Sequence, residues 1–172
     1  FDSSISTDGR YVAFASRASN LVNGDTNVAV DVFVRDIATN TTTLVSVSSS
    51  GAQGDGDSFY PANFVSTKIS ANGRYVAFTS VASNLVIGAG YIPNIFLRDT
   101  IANTTTLVSV ASSGVQVNGL SLYPSISADG RYIAVYSNGN NLVSGDTNGT
   151  TDVFVRDTVA NVTTRVSVDS SS

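Results

Sequence analysis

Two loops of this chain carry the residue types that bind a hard cation. Gly145 to Asp152 reads G-D-T-N-G-T-T-D, and Gly24 to Asp31 reads G-D-T-N-V-A-V-D. In each, an Asp, an Asn and a second Asp stand at the first, third and seventh positions: Asp146, Asn148 and Asp152, and Asp25, Asn27 and Asp31. Calcium takes carboxylate, amide and carbonyl oxygens, and a nearby glycine permits the sharp bend such loops need. Both triplets are therefore candidate Ca2+ sites with a structural role, fixing a long surface loop. The corresponding middle stretch, Gly88 to Asn94, reads G-A-G-Y-I-P-N and keeps only Asn94, so it is not expected to bind metal this way. The competing reading is a turn that holds itself, because Asp and Asn side chains bond their own backbone. The bidentate Glu that ends an EF-hand loop is missing, and the chain contains no Glu.

Three further patterns bear on chemistry. Asn40, Asn103 and Asn161 open N-T-T, N-T-T and N-V-T, acceptor sequons at equivalent places. Each falls at an expected hairpin tip, where it serves either a glycan or the turn. Arg35-Asp36, Arg98-Asp99 and Arg156-Asp157, with Arg10, Arg74 and Arg131, form a repeated arginine–carboxylate pattern. Such pairs are geometrically specific and serve here as strand-end ion pairs rather than an anion site. Gly54 to Ser58, G-D-G-D-S, is expected to be a flexible connector.

Catalysis finds little to work with. There is no His and no Cys, so a serine or thiol nucleophile lacks its usual base, and Lys68 is the sole lysine. A glycosidase needs two carboxylates, but nearly every Asp here has a repeated turn or strand-end role. No catalytic residues are expected, and the chain is not expected to be an enzyme.

These residues must be held by strands. The 42% hydrophobic fraction is mostly Val, Ala, Leu, Ile, Phe and Tyr, while Ser, Thr, Asn and Gly dominate the rest. That is strand-and-turn composition. Net charge is −4, with the basic residues dispersed, which argues against nucleic acid. No apolar run approaches the roughly 20 residues of a membrane span. The chain begins at Phe1 without a visible signal peptide, which fits a processed mature chain or part of a longer one. The lack of Cys, Met and His fits an exported protein, extracellular, at the cell surface or periplasmic.

The chain repeats itself three times. Gly9, Gly73 and Gly130 lie 64 and 57 residues apart, and Arg35, Arg98 and Arg156 lie 63 and 58 apart. The longer first step reflects an insertion after Tyr60-Pro61. Each repeat predicts four strands, such as S-I-S, R-Y-V-A-F-A-S, D-V-F-V-R-D and T-T-L-V-S-V in the first. Asp8-Gly9, Asn72-Gly73 and Asp129-Gly130 predict two-residue type I′ hairpins. The strands are apolar on both faces, so the sheets are expected to be sandwiched between neighbours. The boundaries are 1–52 for the first unit, 53–67 for a linker with the insertion, 68–114 for the second, 115–124 for a linker and 125–172 for the third.

Four-stranded antiparallel sheets stacked face to face follow the logic of propeller blades. The motifs S-x-D-G-R-Y-x-A-F-x-S, D-V-F-V-R-D and T-T-x-V-S-V resemble the TolB-like, WD-like β-propeller repeats of exported bacterial proteins. The resemblance covers nearly the whole chain and speaks to fold, not function. It implies an all-β chain of three propeller-type blades. Closed propellers typically have four to eight. Three blades leave two apolar faces open, and such faces mark interaction surfaces. Completion as a ring, stacking into a filament and a place within a longer exported chain are all open. The expected role is a structural, self-associating module. The alternative is a propeller fragment of a larger protein that binds a protein, peptide or glycan partner. Tyr60, Tyr91, Tyr123 and Tyr136 are the aromatic candidates for glycan contact.

Overall fold

The computed structural model describes residues 3–58 and 66–170. It contains twelve strands in three four-stranded sheets. Blade 1 comprises β1 (Ser3–Ile5), β2 (Tyr11–Ser16), β3 (Asp31–Asp36) and β4 (Thr41–Leu44). Blade 2 comprises β5 (Thr67–Ile69), β6 (Tyr75–Ser80), β7 (Asn94–Asp99) and β8 (Thr104–Leu107). Blade 3 comprises β9 (Ser121–Ile126), β10 (Tyr132–Ser137), β11 (Asp152–Asp157) and β12 (Val162–Arg165). Every pairing joins sequence neighbours antiparallel, as expected for a meander.

Alternation along the strands aims two apolar faces per blade at two neighbours. Ala13, Val32 and Val34 of blade 1 meet Val76, Phe78 and Phe96 of blade 2 in one core. Ala77, Ile95 and Leu97, from the other face of blade 2, meet Ile133, Val135 and Phe154 of blade 3 in a second. Blade 2 is thus covered on both sides, and all six residues of β7 are buried.

Three expectations need correction. Gly9, Gly73 and Gly130 have positive φ, but Asp8, Asn72 and Asp129 do not. The turns are therefore not type I′, which requires both central residues in that region. Instead Gly9 N–H bonds Ser6 O at 2.9 Å, and Ser6 N–H bonds Tyr11 O at 2.9 Å, closing a wider loop. Asp8 wins the local competition by accepting from the Arg10 amide and the Ser6 hydroxyl. The fourth strands stop at Leu44, Leu107 and Arg165, earlier than predicted. Val47 and Val110 leave the sheet to bridge Gln53 and Gln116. Finally, β9 begins at Ser121, inside the expected 115–124 linker, with a register shift opposite Tyr123-Pro124. Tyr123 takes a φ of 54° there, because a bulge absorbs the proline that cannot donate to a ladder.

The 54–58 connector is not loose. Asp57 accepts the Val30 amide at 2.7 Å, and Asp55 accepts the Ser83 amide and hydroxyl, both at 2.7 Å. Ser58 is buried and donates to Val30 O. The segment straps blade 1 to blade 2. Gly56 is needed for this approach, since a Cβ there would stand 3.2 Å from the Ala82 backbone. Of the insertion at 62–67, residues 62–65 lie outside the described residues.

Candidate functional site

The two Asp/Asn loops enter β3 and β11, and each converges on a pair of carboxylates. In blade 1 the Gln53 amide nitrogen donates to both Asp25 Oδ1, at 2.8 Å, and Asp31 Oδ2, at 2.9 Å. Its carbonyl accepts the Thr26 amide at 3.1 Å, which fixes the amide orientation. Ser46 donates to the other Asp31 oxygen at 2.5 Å. Asn27 is half-buried, donating to Gly54 O, accepting from the Ala29 amide and adding a side-chain hydrogen bond to Asp31. Asp31 is fully buried, and burial pushes its carboxyl up, with Ser46 and Gln53 pulling the other way and Asp25 adding to the rise.

In blade 3 a guanidinium stands where the Gln53 amide stands in blade 1. Arg165 Nη1 donates to Asp146 Oδ1 at 3.1 Å and lies 3.6 Å from Asp152 Oδ2. Asn148 donates to Asp152 Oδ2 at 2.8 Å, and Ser167 to Oδ1 at 2.5 Å. The Ser167 hydroxyl pulls the Asp152 carboxyl down, and Asn148 and Arg165 add to this. In blade 2 Asn94 accepts from Ser109 and donates to Ile92 O, with no carboxylate nearby in its loop.

Calcium needs six to eight oxygens around a central point. Here that point faces N–H donors in both loops, an amide in one and a cation in the other. The expected donors Asp25, Asn27 and Asp31, and Asp146, Asn148 and Asp152, do not fit a calcium shell as arranged. Among the described residues no three acidic, His or Cys side chains gather into a metal-holding group. Sequence reasoning missed Gln53 and Arg165. The visible signal was Arg165 itself, which breaks the T-T-L-V-S-V pattern of Leu44 and Leu107.

The arginine–carboxylate pattern resolves into two systems. Arg10, Arg74 and Arg131 pair with Asp36, Asp99 and Asp157 at 2.7, 2.6 and 2.7 Å, and each lies over the following tyrosine at 4.8–4.9 Å. The guanidinium holds each of these carboxyls below the usual range. Arg98 and Arg156 do not join them. They are buried and donate to Thr105 and Asn103, and to Thr163 and Asn161. Arg35 likewise bonds Thr42 and Asn40. The sequon asparagines are exposed with φ of 56–60°, and the bonded atom is their amide oxygen, not the nitrogen a glycan takes.

Among the described residues, grooves of about 460–620 Å³ run along the blades, and these are lined by Ser, Thr, Asn, Gln, Gly and aliphatic residues without a titratable side chain. Tyr123 and Tyr136 meet edge to face at 6.0 Å, and both are exposed. Tyr91 is exposed on the middle loop and donates to Asp55 at 3.3 Å. Tyr60 lies outside the described residues.

No family model matches the chain, and no curated protein matches it. Solved structures do. A putative TolB from Agrobacterium tumefaciens matches with TM-score 0.53 and 14% identity, over 96% of this chain and 49% of its own. Tricorn protease matches with TM-score 0.57 and 13% identity, over 98% of this chain and 17% of its own. An oligogalacturonate lyase in complex with manganese matches with TM-score 0.53 and 9% identity, over 96% and 40%. The fold is a TolB-like β-propeller. The chain spans about half of the TolB structure and less of the others.

Within this propeller arc the outer faces of blades 1 and 3 stand apart from the rest. Ile5 is 59% exposed while its blade 2 counterpart, Ile69, is 6% exposed. Val166 is 48% exposed while Val45 and Val108 are 1% and 3%. Ile69, Val45 and Val108 are core residues, and Ile126 of blade 3 is partly buried against the core shared with blade 2.

Proposed function

We propose that the chain is a non-catalytic, structural β-propeller module of an exported protein, which associates with further blades through its two outer faces. The observation that carries this reading is the contrast of Ile5 with Ile69 and of Val166 with Val45 and Val108. Each exposed residue occupies a position the repeat is built to bury, and burying such a side chain contributes roughly 1.5–3 kcal/mol. The absence of His and Cys, and grooves without acids or bases, support a non-catalytic role. Among the described residues no helix is long and apolar enough to cross a membrane. Light scattering on the purified chain tests the assembly: a mass above 17.8 kDa that depends on concentration is expected, and a 17.8 kDa species at every concentration sinks the reading.

The coverage of the solved propellers favours a second reading, in which the missing blades belong to the same longer polypeptide and the whole binds a protein, peptide or glycan. The mass of the native polypeptide separates the two. Glycans on Asn40, Asn103 and Asn161 remain part of the proposal, since all three are exposed tips. Intact mass of natively produced protein reads them directly.

A further inference from the structure

The sequon tips of blades 2 and 3 are exposed, yet the atoms of each sequon divide between surface and core. An Asn-x-Ser/Thr acceptor needs the hydroxyl two residues on as well as the amide, so a transferase must reach both. The amide side is open. Asn103 and Asn161 are exposed, and the bonds that hold each tip use Oδ1 and leave Nδ2 aside. The hydroxyl side is closed. Thr105 is 5% exposed and Thr163 is 7% exposed. The Thr105 hydroxyl donates to Val47 O at 2.5 Å and accepts from Arg98 Nη1 at 3.1 Å. Thr163 repeats this with Val110 O at 2.6 Å and Arg156 Nη1 at 3.2 Å. Val47 and Val110 belong to the preceding repeat, so each hydroxyl is engaged in the seam between two blades.

An arginine organises each tip. Arg98 Nη1 also reaches Asn103 O at 3.0 Å and, across the seam, Ser48 O at 3.3 Å, while Nη2 holds Asn103 Oδ1 at 3.1 Å. Arg156 does the same, with Asn161 O at 2.9 Å, Ala111 O at 3.4 Å and Asn161 Oδ1 at 3.0 Å. Both arginines are buried. Arg35 bonds Asn40 and Thr42 in blade 1. The spacing R-x-x-x-x-N-x-T is therefore one device used three times, in which a guanidinium fork binds the sequon's amide oxygen and its hydroxyl together.

We propose that folding itself closes Asn103 and Asn161 to glycosylation, so that these two sites accept a glycan only on a chain whose blade seams have not yet formed. The inference rests on the glycan part of the proposed function and adds when those sites can be used. In the transfer, the anomeric carbon of a lipid-diphosphate-linked oligosaccharide bonds to Nδ2 as its bond to the diphosphate oxygen breaks. Nδ2 gives one of its two protons to a base of the transferase, and the lipid diphosphate leaves as an anion. The clamp takes Oδ1 and the main-chain oxygen of each Asn, so a glycan added before folding leaves these bonds in place.

The test supplies the 172-residue chain with a purified single-subunit oligosaccharyltransferase and a lipid-linked oligosaccharide, and reads each site by glycopeptide mass. A full-length Phe96→Asp, Phe154→Asp chain gives the unfolded comparison, because it sets an unpaired charge in each core. Circular dichroism checks both chains, and a synthetic Asn-Thr-Thr peptide in the same reaction reports an active enzyme. Asn103 and Asn161 are expected to react about 100-fold more slowly on the folded chain, since reaction there waits on local opening. In a folded Arg98→Lys chain, Asn103 should gain about tenfold or more over Asn161 of the same molecule, because lysine lacks the fork. Equal rates on folded and unfolded chains overturn the inference. A folded Arg98→Lys chain in which Asn103 stays as slow as Asn161 overturns the arginine's part in it. An unfolded chain left bare at both sites while the peptide is glycosylated overturns the sequon reading, and the inference with it. Native protein without glycans counts against the glycan reading alone, because enzyme and donor are supplied here.

Discussion

The Asp25/Asp31 loop and the Asp146/Asp152 loop share a sequence pattern and solve the same problem with different charges. Each gathers two carboxylates under a β-strand entry, and each needs a donor between them. Blade 1 brings a neutral amide, Gln53, from the strap that leads to blade 2. Blade 3 brings a cation, Arg165, from its own fourth strand. The consequences diverge. Asp31, desolvated with no cation at hand, has its carboxyl pushed up, while Asp152 has its carboxyl pulled down. An Asp/Asn triplet in a repeat therefore specifies a demand for donors. What meets the demand lies 13 to 28 residues away in sequence.

The comparison breaks most severely at Arg165→Leu, the residue that the other two repeats carry. This leaves Asp146 and Asp152, both buried, without their cation. Breaking a fully buried pair costs about 3–5 kcal/mol. Arg165 is 23% exposed, so a loss of about 2–3 kcal/mol is expected, read as a denaturant midpoint at low chain concentration. A loss below 0.5 kcal/mol, roughly the scale of a surface pair, removes Arg165 from the role assigned to it. Gln53→Leu is the equivalent cut in blade 1. It strips a donor from a buried carboxylate, which costs about 1–3 kcal/mol, and it also loosens the strap. A double variant should show additive losses, because the loops sit in different blades.

Much of this molecule was legible in its sequence. The period fixed three units, and strand three in each repeat matches its predicted residues from Asp31, Asn94 and Asp152 onward. Apolar residues on both faces of R-Y-V-A-F-T-S correctly foretold the doubly covered blade 2. Local hydrogen-bond competition was less legible. Asp8 capturing the Arg10 amide reshaped a turn that Asp-Gly alone suggests is two residues long. The donors to the carboxylate pairs were the least visible, because Gln53 is an ordinary linker residue until the chain folds it back. G-D-G-D-S shows the same limit: its composition suggested a loose connector, yet Asp55 and Asp57 each bind backbone of a blade.

The pH response sharpens the comparison further, on a smaller scale. Asp152 titrates below the ordinary carboxylate value near 3.9, so its contribution is present above that pH and is lost as pH falls through its folded value. Asp31 titrates above it, so the folded state binds the extra proton and stability declines as pH rises from near 4 through the folded value. Asp31→Asn should remove the second effect and change stability at pH 7 by less than about 1 kcal/mol, since Asn94 fills this position in blade 2. Asp152→Asn should remove the first and destabilise at pH 7. Thermal melts between pH 3 and 7 compare them, and parallel pH profiles for the two variants would contradict the assignment of opposite shifts.

The smallest expected effect concerns calcium itself. With Gln53 and Arg165 already between the carboxylates, neither a chelator nor millimolar Ca2+ should move the wild-type melting temperature. A calcium-dependent rise would show that the ion displaces the Gln53 amide, and the loops would regain their metal role. Gln53→Glu makes the contrast informative, because it replaces the bridging donor with a third carboxylate beside Asp25 and Asp31. Without metal, three crowded anions should lower stability, and lowering the pH should relieve it. With metal, the hard-oxygen set that the wild type lacks is assembled, and stability should rise with ligand concentration as RT ln(1 + [L]/Kd). The Gly145–Asp152 loop has no such conversion by one residue, because Arg165 keeps a full positive charge against Asp146 and repels any ion that approaches.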